Sequence, residues 1–331
     1  TAPHISSEAR YRASRLKVYL YKRLLSRVSE SVKEYAMTKY AKRIAFYVPT
    51  HSLVNYTQWK ILSPEATLLD IPTVDGCIAQ VWTGTSRVGN VYAGKYNEPD
   101  YELILKEGCN FALENTMIGH NPEVKEKLES LGIPVMVERS SYEEHPLGRL
   151  EWIRLYGLLY GKEQEADAFY EEQLKKIEPI MEKEDTGRTV AFFYITANGA
   201  VNVRKPNDYI AQMIGLAGGT YVLNDRLSAE ENALSTMNMQ MEEFYAGAKD
   251  ADYIIYNSTI DGELTDISQM LEKSSLLADF KAVKDGNVWC TNQNLFQETM
   301  ELGTMIEDIH TMLTSDDASV DELTGTSFVK V

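Results

Sequence analysis

The chain has 331 residues, of which 44% are hydrophobic, and a formal net charge of −16 at pH 7. This length exceeds one ordinary hydrophobic core and predicts two domains, while the ordinary composition excludes wholesale disorder. The negative charge argues against nucleic acid as a partner, because phosphate backbones are bound mainly through clustered Lys and Arg. It also argues against an anionic membrane surface for most of the chain.

The first 45 residues differ from the rest in charge. They contain eleven Lys or Arg and three Glu, which gives this segment a net charge of +8. The remaining residues, 46–331, have a net charge of −24. Apolar side chains recur there at helical spacing and form a stripe beside a basic face, which predicts a basic helical extension with a solvated surface. A helix that binds a membrane surface or a partner is the alternative. The stripe consists of Leu16, Tyr19, Leu20, Leu24 and Val28.

The sequence lacks the patterns of a membrane span and of a signal peptide. No apolar run approaches the roughly 20 residues needed to cross a bilayer. If the protein is exported, we therefore expect a mature form that is periplasmic or anchored by a lipid on a removed N-terminus. Cys77, Cys109 and Cys290 are too few and too scattered for a disulfide framework or a zinc cluster, which indicates buried free thiols.

Helices and strands alternate from about residue 91. The stretch "PDYELILKEG" predicts a helix and "NFALENT" a short strand; "NPEVKEKLESLG" predicts a helix with a cap-like Asn121, and "IPVMVE" a second strand. This βαβ order builds a parallel sheet whose ligands lie beyond the carboxyl ends of the strands. The loops 115–121 and 139–146 are therefore the expected binding loops.

Two helical patterns follow, hinged at Gly161. The second is long and highly charged, which is typical of a connector exposed on most of its circumference. A second βαβ rhythm then begins with the strand "TVAFFYI", the loop "TANGAVNVRKPND" and the helix "YIAQMIGLAGG". It continues with "MQMEEFYAGAKDA" as helix, "DYIIYNS" as strand, "ISQMLEKSSLLADF" as helix, "NVWCT" as strand and "ETMELGTMIEDIHTMLT" as helix.

Four stretches together carry a family resemblance: "GRLEWIRLYGLLYGKEQEADAFYEEQ", "YIAQMIGLAGGTY", "KDADYIIYN" and "LADFKAVKDGNVWC". In this order they resemble the substrate-binding proteins of ABC importers for iron-siderophores, haem and cobalamin, over residues 91–313. The resemblance implies an α/β fold of two Rossmann-like lobes joined by a single long connector helix, with the ligand cleft between the lobes. We accordingly expect an N-terminal lobe over 1–160, the connector over 161–186 and a C-terminal lobe over 187–331. Residues 46–90 match the family poorly.

The resemblance also implies two acidic sites for docking to the permease. In this family each lobe carries an exposed acid at the start of a helix, and these acids pair with arginines of the permease. Glu102 and Glu242 match these positions, and Glu243 is a close rival for the second. The alternative is that the acids only favour the positive end of the helix dipole.

Arg204 and Lys205 are the most informative candidates for ligand contact. They lie together in "NVRKPND", in an otherwise acidic protein, and two cations there favour an anionic ligand. Surface ion pairing is the alternative for each. Aromatic and apolar side chains supply a wall for a bulky ligand, although aromatic residues beside strands are more often core. The further ligand-contact candidates are Met117, His120, Tyr142, His145, Tyr194, Tyr256 and Trp289.

Direct metal binding is the weaker interpretation of the histidines. A bare metal site needs three or four protein ligands, and His120 and His145 alone fall in the expected loops. Loop or cap roles are favoured for both. The other histidines are His4, His51 and His310.

We therefore expect an extracytoplasmic, non-enzymatic and monomeric substrate-binding component of an ABC importer. It is expected to need no cofactor, to bind a ferric chelate of the iron-siderophore type and to deliver it to a permease. Haem, cobalamin or a bare metal are the alternatives within the same class of protein. A chelatase-like enzyme is the alternative from a different class.

Overall fold

A computed structural model describes residues 45–49, 77–83, 86–95, 97–106, 109, 111–114, 116–160, 162–225, 235–293, 295–315 and 323–331. The predicted basic helix, with Leu16, Tyr19, Leu20, Leu24 and Val28, lies outside the described residues, as do His4 and His51. The chain divides into two compact units. Unit 1 comprises Thr1–Tyr142 and Glu151–Tyr170, and unit 2 comprises Glu143–Leu150 and Glu171–Val331.

Unit 1 contains a mixed sheet in the order β3-β2-β1-β6-β7, in which β1, β6 and β7 are parallel and β2 and β3 are antiparallel. Its strands are β1 (Ala45–Pro49), β2 (Cys77–Thr83), β3 (Ser86–Tyr92), the short pair β4 (Gly94–Lys95) and β5 (Glu98–Pro99), β6 (Phe111–Glu114) and β7 (Val135–Val137). Its helices between these strands are α1 (Tyr101–Lys106) and α2 (Pro122–Ser130).

The helices of unit 1 form where the sequence predicts them. Asp100 begins α1 by accepting a hydrogen bond from the backbone of Leu103 at 2.9 Å. Asn121 occupies the N-cap position of α2, as predicted, but its side-chain amide donates to the Glu123 carboxylate at 3.2 Å and makes no capping bond. The apolar face of α2 packs on the sheet in a buried core that includes Ala112, Ile118, Val124, Leu128 and Val135.

The predicted break after the first of the two long helical patterns is confirmed. Helix α3 spans Pro146–Tyr160 and α4 spans Glu163–Met181. Along α4, Ala166, Tyr170, Leu174 and Ile177 are buried at helical spacing, and six acidic side chains lie on the rest of the helix.

Unit 2 contains a sheet in the order β11-β9-β8-β12-β13-β14, with β10 also paired to β8. The centre, β8, β12 and β13, is parallel, whereas β9, β11 and β14 run antiparallel to their neighbours. The strands are β8 (Thr189–Ile195), β9 (Val201–Arg204), β10 (Thr220–Tyr221), β11 (Thr236–Met239), β12 (Tyr253–Tyr256), β13 (Val288–Thr291) and β14 (Phe328–Lys330). The helices are α5 (Tyr209–Leu216), α6 (Met241–Ala248), α7 (Ile267–Lys273), α8 (Lys281–Lys284) and α9 (Leu302–Thr314).

Strand β9 corrects one prediction, since residues 201–204 were expected in a loop. Val201 and Val203 are buried on one face, and Gly199 takes a φ of +81° in the turn that reverses the chain after β8. The two strands then pair antiparallel, with Val201 opposite Ile195. Arg204 consequently ends a strand, which fixes its backbone more firmly than a loop would.

The α/β class is confirmed in both units. Buried aromatic side chains fill the core of unit 2; the ring centroids of Phe193 and Phe244 are 4.5 Å apart, and those of Phe193 and Tyr256 are 5.7 Å apart. Cys109 and Cys290 are buried free thiols, as predicted. Among the described helices, none combines the length and the apolar character required to span a bilayer.

Candidate functional site

Two loops meet at the carboxyl edge of the sheet in unit 1. Because β6 and β7 are parallel, the loops that follow them emerge at the same edge. Each loop forms a short 3₁₀ turn, Thr116–His120 after β6 and Ser140–Tyr142 after β7. The hydroxyl oxygens of Thr116 and Tyr142 are 3.1 Å apart, so a hydrogen bond joins the two turns.

These joined turns present large side chains to solvent. Met117 is 46% exposed and Tyr142 is 47% exposed, and His120 is exposed at the end of the first turn. Large apolar side chains are usually removed from water, and exposed ones grouped at a functional edge suit contact with an apolar ligand. Unit 1 thus brings together three of the residues predicted from sequence.

Glu114 lies directly beneath these turns and has an unusual environment. It is the last residue of β6, its side chain is fully buried, and neither carboxyl oxygen has a hydrogen-bond partner in the part of the chain that the structure describes. Burial raises the pKa of Glu114 from its ordinary 4.5 to about 9, so this carboxyl is neutral at neutral pH. The Ser140 hydroxyl, in the second turn, is also buried without a partner.

Arg204 is the best-defined candidate in unit 2. Its residue is only 8% exposed, and its guanidinium lies 3.8 Å from the Asp208 carboxylate. The guanidinium carbon is 4.6 Å from the ring centroid of Phe296, which follows β13. The Tyr221 hydroxyl fixes the Arg204 backbone, accepting from its N–H at 3.2 Å and donating to its carbonyl at 3.0 Å.

The guanidinium of Arg204 retains unused hydrogen-bonding capacity. The 3.8 Å ion pair is longer than a charge-assisted hydrogen bond of about 2.8 Å. Within the described residues, no side-chain hydrogen bond of Arg204 accompanies this pair. Arg204 is therefore a cation that is largely shielded from water and still has N–H groups to donate.

A second arginine, Arg149, lies near the same helix terminus and was not singled out from the sequence. Its guanidinium carbon is 3.6 Å from the ring centroid of Tyr209, and its Nε donates to the Glu143 carbonyl at 2.8 Å. Asp208 caps α5 by accepting from the backbone of Ile210 at 3.0 Å. Burial raises the pKa of Asp208, and the positive charges of Arg204 and Arg149 oppose that rise. Sequence spacing gives no signal for a contact between residues 149 and 209.

The other predicted contact residues of unit 2 differ in how deeply they are buried. Lys205 is buried beside Arg204, and Tyr194 on β8 is half-buried. Tyr256 and Trp289 are fully buried in the sheet, and the Tyr256 hydroxyl accepts from the backbone of Ile195 at 3.3 Å. Both side chains therefore belong to the core of unit 2, which is the alternative given above for aromatic residues beside strands.

Two of the described histidines, His145 and His310, have local structural roles. In His145, Nδ1 accepts from the backbone N–H of Leu147 at 3.2 Å, which is a cap at the start of α3. His310 is buried, with Nδ1 at 2.9 Å from the Ala217 carbonyl and Nε2 at 2.8 Å from the Lys183 ammonium. Over the described ranges, no group of three His, Cys, Asp or Glu residues is arranged to hold a metal ion.

The predicted docking acids are exposed in the first turns of their helices. Glu102 lies in α1 of unit 1, and Glu242 and Glu243 lie in α6 of unit 2. Their exposure fits a surface contact, but favourable placement at a helix N-terminus would leave them equally exposed.

Comparison with known proteins assigns the family. Residues 87–295, more than half of the chain, match the family model of the periplasmic binding proteins. The chain therefore belongs to the periplasmic binding protein family. This membership confirms the resemblance seen in the sequence and the extracytoplasmic localisation.

Two curated relatives are uncharacterized lipoproteins of Methanocaldococcus jannaschii. One is 29% identical over 56% of this chain and 44% of its own length, and the other is 25% identical over 60% of this chain and 50% of its own length. The chain thus spans about half the length of the curated relatives it matches.

Solved structures with the same fold include three bacterial binding proteins. The periplasmic haem-binding protein HutB of Vibrio cholerae has a TM-score of 0.53 at 18% identity, covering 65% of this chain and 82% of its own. An ABC transporter substrate-binding protein from Listeria monocytogenes has a TM-score of 0.53 at 16% identity, covering 81% and 98%. A possible iron-binding periplasmic solute-binding protein from Staphylococcus epidermidis has a TM-score of 0.54 at 13% identity, covering 83% and 100%. These identities establish the fold alone.

Proposed function

We propose that this protein is the substrate-binding component of an ABC importer and that it captures an anionic ferric chelate of the iron-siderophore type. The chelate is bound, carried and released to a permease without any covalent step. The two lipoprotein relatives support a lipid anchor as the means that keeps the protein at the membrane.

The environment of the Arg204 guanidinium is the observation that supports an anionic ligand. Its guanidinium is shielded from most of the solvent, and over the described residues it contacts a carboxylate in a long ion pair and two aromatic rings. A guanidinium presents N–H groups in a planar fork that matches paired carboxylate or catecholate oxygens. In a site of low dielectric constant such bonds are stronger than in water, so an anionic chelate is well suited to it.

The exposed turns of unit 1 support the bulky, partly apolar character of the ligand. Met117 offers a flexible and polarizable surface that adapts to irregular shapes, and Tyr142 offers an aromatic face with a polar tip. The Thr116 hydroxyl holds the Tyr142 ring in place through the bond between the two turns. Siderophore chelates combine aromatic or aliphatic arms with a charged centre, which matches such a surface.

Haem is the second candidate. Met117, His120 and Tyr142 all belong to the joined turns, and methionine, histidine and tyrosine are side chains that ligate haem iron. The propionates of haem would also suit Arg204. The haem-binding protein of Vibrio cholerae shares the fold.

Spectroscopic titration tests this function. Purified protein is mixed with a ferric tris-catecholate, a ferric tris-hydroxamate, haem and cobalamin, and the visible absorption band and the heat of binding are recorded. We expect saturable 1:1 binding of one ferric chelate, and the recovered ligand is expected to be chemically unchanged. The iron-free chelators serve as controls. Binding of haem alone would favour the second candidate, and turnover of a ligand without stable binding would instead indicate a chelatase-like enzyme.

Glu102 and Glu242 are proposed to pair with arginines of the permease. We expect Glu102→Ala and Glu242→Ala to reduce chelate import several-fold in proteoliposomes that contain the cognate permease, because charge-assisted pairs at a rim act mainly on association. Ligand binding should be unchanged. Glu126→Ala, which removes an exposed acid from the middle of α2, is the matched control. Loss of ligand binding in either docking variant would contradict this division of roles.

A further inference from the structure

Strand β6 of unit 1 ends in a buried acid. Glu114 pairs in register with Val137 of β7, and its backbone carbonyl accepts from the N–H of Glu138 at 2.7 Å. Since alternate residues of a strand share a face, its side chain points to the same side as Ala112, which belongs to the apolar core of the unit. The carboxyl group is thus enclosed at the point where strand and binding turn meet.

Within the described residues, the titratable groups linked to Glu114 are acids and a phenol. Burial raises the pKa of the Tyr101 phenol in α1, and the charges of Glu123 in α2 and of Glu114 add to this rise. On the β7 side, the Glu138 carboxylate accepts from the N–H of Ser140 at 2.7 Å. Burial is the cause that raises the pKa of Glu114, so its enclosure keeps this carboxyl neutral.

The position of Glu114 links its protonation to both turns. Thr116 follows two residues later in the first turn, and Thr116 is hydrogen-bonded to Tyr142 of the second. In the second turn, Ser140 precedes Tyr142 by two residues and buries a hydroxyl without a partner. A negative charge at Glu114 must be hydrated, and water can enter most directly where the polar but unpartnered groups lie, at the carboxyl edge under the turns.

We propose that Glu114 is a proton switch for the turns Thr116–His120 and Ser140–Tyr142. With the carboxyl protonated, the turns pack as in this structure and Met117 and Tyr142 are held together at the edge. Loss of the proton admits water and separates the turns. The raised pKa of Glu114, about 9, agrees with this arrangement. The inference depends on the proposed function only for what the turns bind, because the switch itself operates in the ligand-free protein.

Carbon-13 NMR of ligand-free protein tests the switch. The side-chain carboxyl carbons of glutamate and the methyl carbons of methionine are labelled, and spectra are recorded from pH 5 to 10.5. The Glu114 and Met117 signals are assigned from their loss in Glu114→Gln and Met117→Leu. We expect the Glu114 carboxyl to titrate near pH 9, far above the ordinary value of 4.5, and the Met117 methyl signal to move with the same midpoint.

Three variants make the result decisive. In Glu114→Gln the Met117 signal should stay constant through pH 9, whereas in Glu123→Gln, which alters an exposed acid, it should move as in the wild type. Tyr101→Phe removes the phenol that titrates at higher pH, and the shared midpoint should remain. A Glu114 titration midpoint below pH 6 would overturn the proposal. So would a Met117 chemical shift that does not change with pH in the wild type, or one that changes equally in Glu114→Gln. Because no ligand is present, none of these outcomes depends on whether the protein binds a chelate.

Discussion

Replacing Arg204 by alanine is expected to weaken the binding of an anionic ferric chelate by about 100-fold, because truncating one partner of a desolvated, hydrogen-bonded charge pair removes about 2–5 kcal/mol. The Tyr221 hydroxyl holds the Arg204 backbone, and the guanidinium lies against the rings of Phe192 and Phe296. It is therefore already oriented before a ligand arrives, and little further ordering opposes binding.

Isothermal titration with a ferric tris-catecholate measures this effect. Arg204→Lys should recover only part of the affinity, since an ammonium keeps the charge and loses the planar fork. Arg188→Ala removes a cation exposed just before β8 and should leave the affinity within about twofold of the wild type. Denaturation curves for each variant separate loss of binding from loss of folding. Equal affinities in Arg204→Ala and Arg188→Ala would contradict the role of Arg204.

The Glu114→Gln variant is expected to be more stable than the wild type by about 3 kcal/mol at pH 7. The folded-state pKa of Glu114 is about 9 against an ordinary value of 4.5, so between these values the folded protein retains a proton that the unfolded chain releases. Stability therefore falls as pH rises, by up to about 1.4 kcal/mol per pH unit. A glutamine side chain has nearly the same shape as a protonated glutamate and stays neutral at every pH, so the variant does not lose this stability as pH rises.

Urea denaturation of both proteins at pH 4.5, 7 and 9 measures the difference. The two free energies of unfolding should differ least at pH 4.5, where Glu114 is neutral in the folded protein and only half ionised in the unfolded chain, and should diverge steadily up to pH 9. Glu123→Gln, in which an exposed acid is changed, should follow the wild type throughout. A Glu114→Gln variant that is less stable at pH 7, or a difference that does not vary with pH, would show that this carboxyl is ionised or paired in solution.

Local signals in the sequence predicted the elements of the fold well. Apolar runs such as those of β8 and β12, and the breaks at Gly132 and near residue 161, depend on neighbours within a few residues, and the structure forms strands, helices and ends at these places. Strand β9 was missed because four residues with only two buried valines give too short an alternation to distinguish from a loop.

The candidate site was predicted less completely, for a physical reason. Arg204 stands out in sequence by its charge, but its contact with Phe296 joins residues far apart in the chain, as does the contact of Arg149 with Tyr209. Glu114 lies in "NFALENT", which predicts a short strand and gives no sign of a buried carboxyl. Whether a terminal glutamate is solvated or enclosed depends on helices α1 and α2 packing over it, and a single sequence carries no signal for that enclosure.

The membership of residues 143–150 in unit 2 has a practical consequence for dissecting the protein. These residues precede Glu151–Tyr170, which belong to unit 1, so the chain enters unit 2 briefly, returns, and enters it again at Glu171. A fragment that begins at residue 171 lacks Arg149 and uncovers the face of the Tyr209 ring. No single cut separates the units intact. A stable recombinant form of unit 2 would have to receive residues 143–150 back, as a fused or separately added peptide.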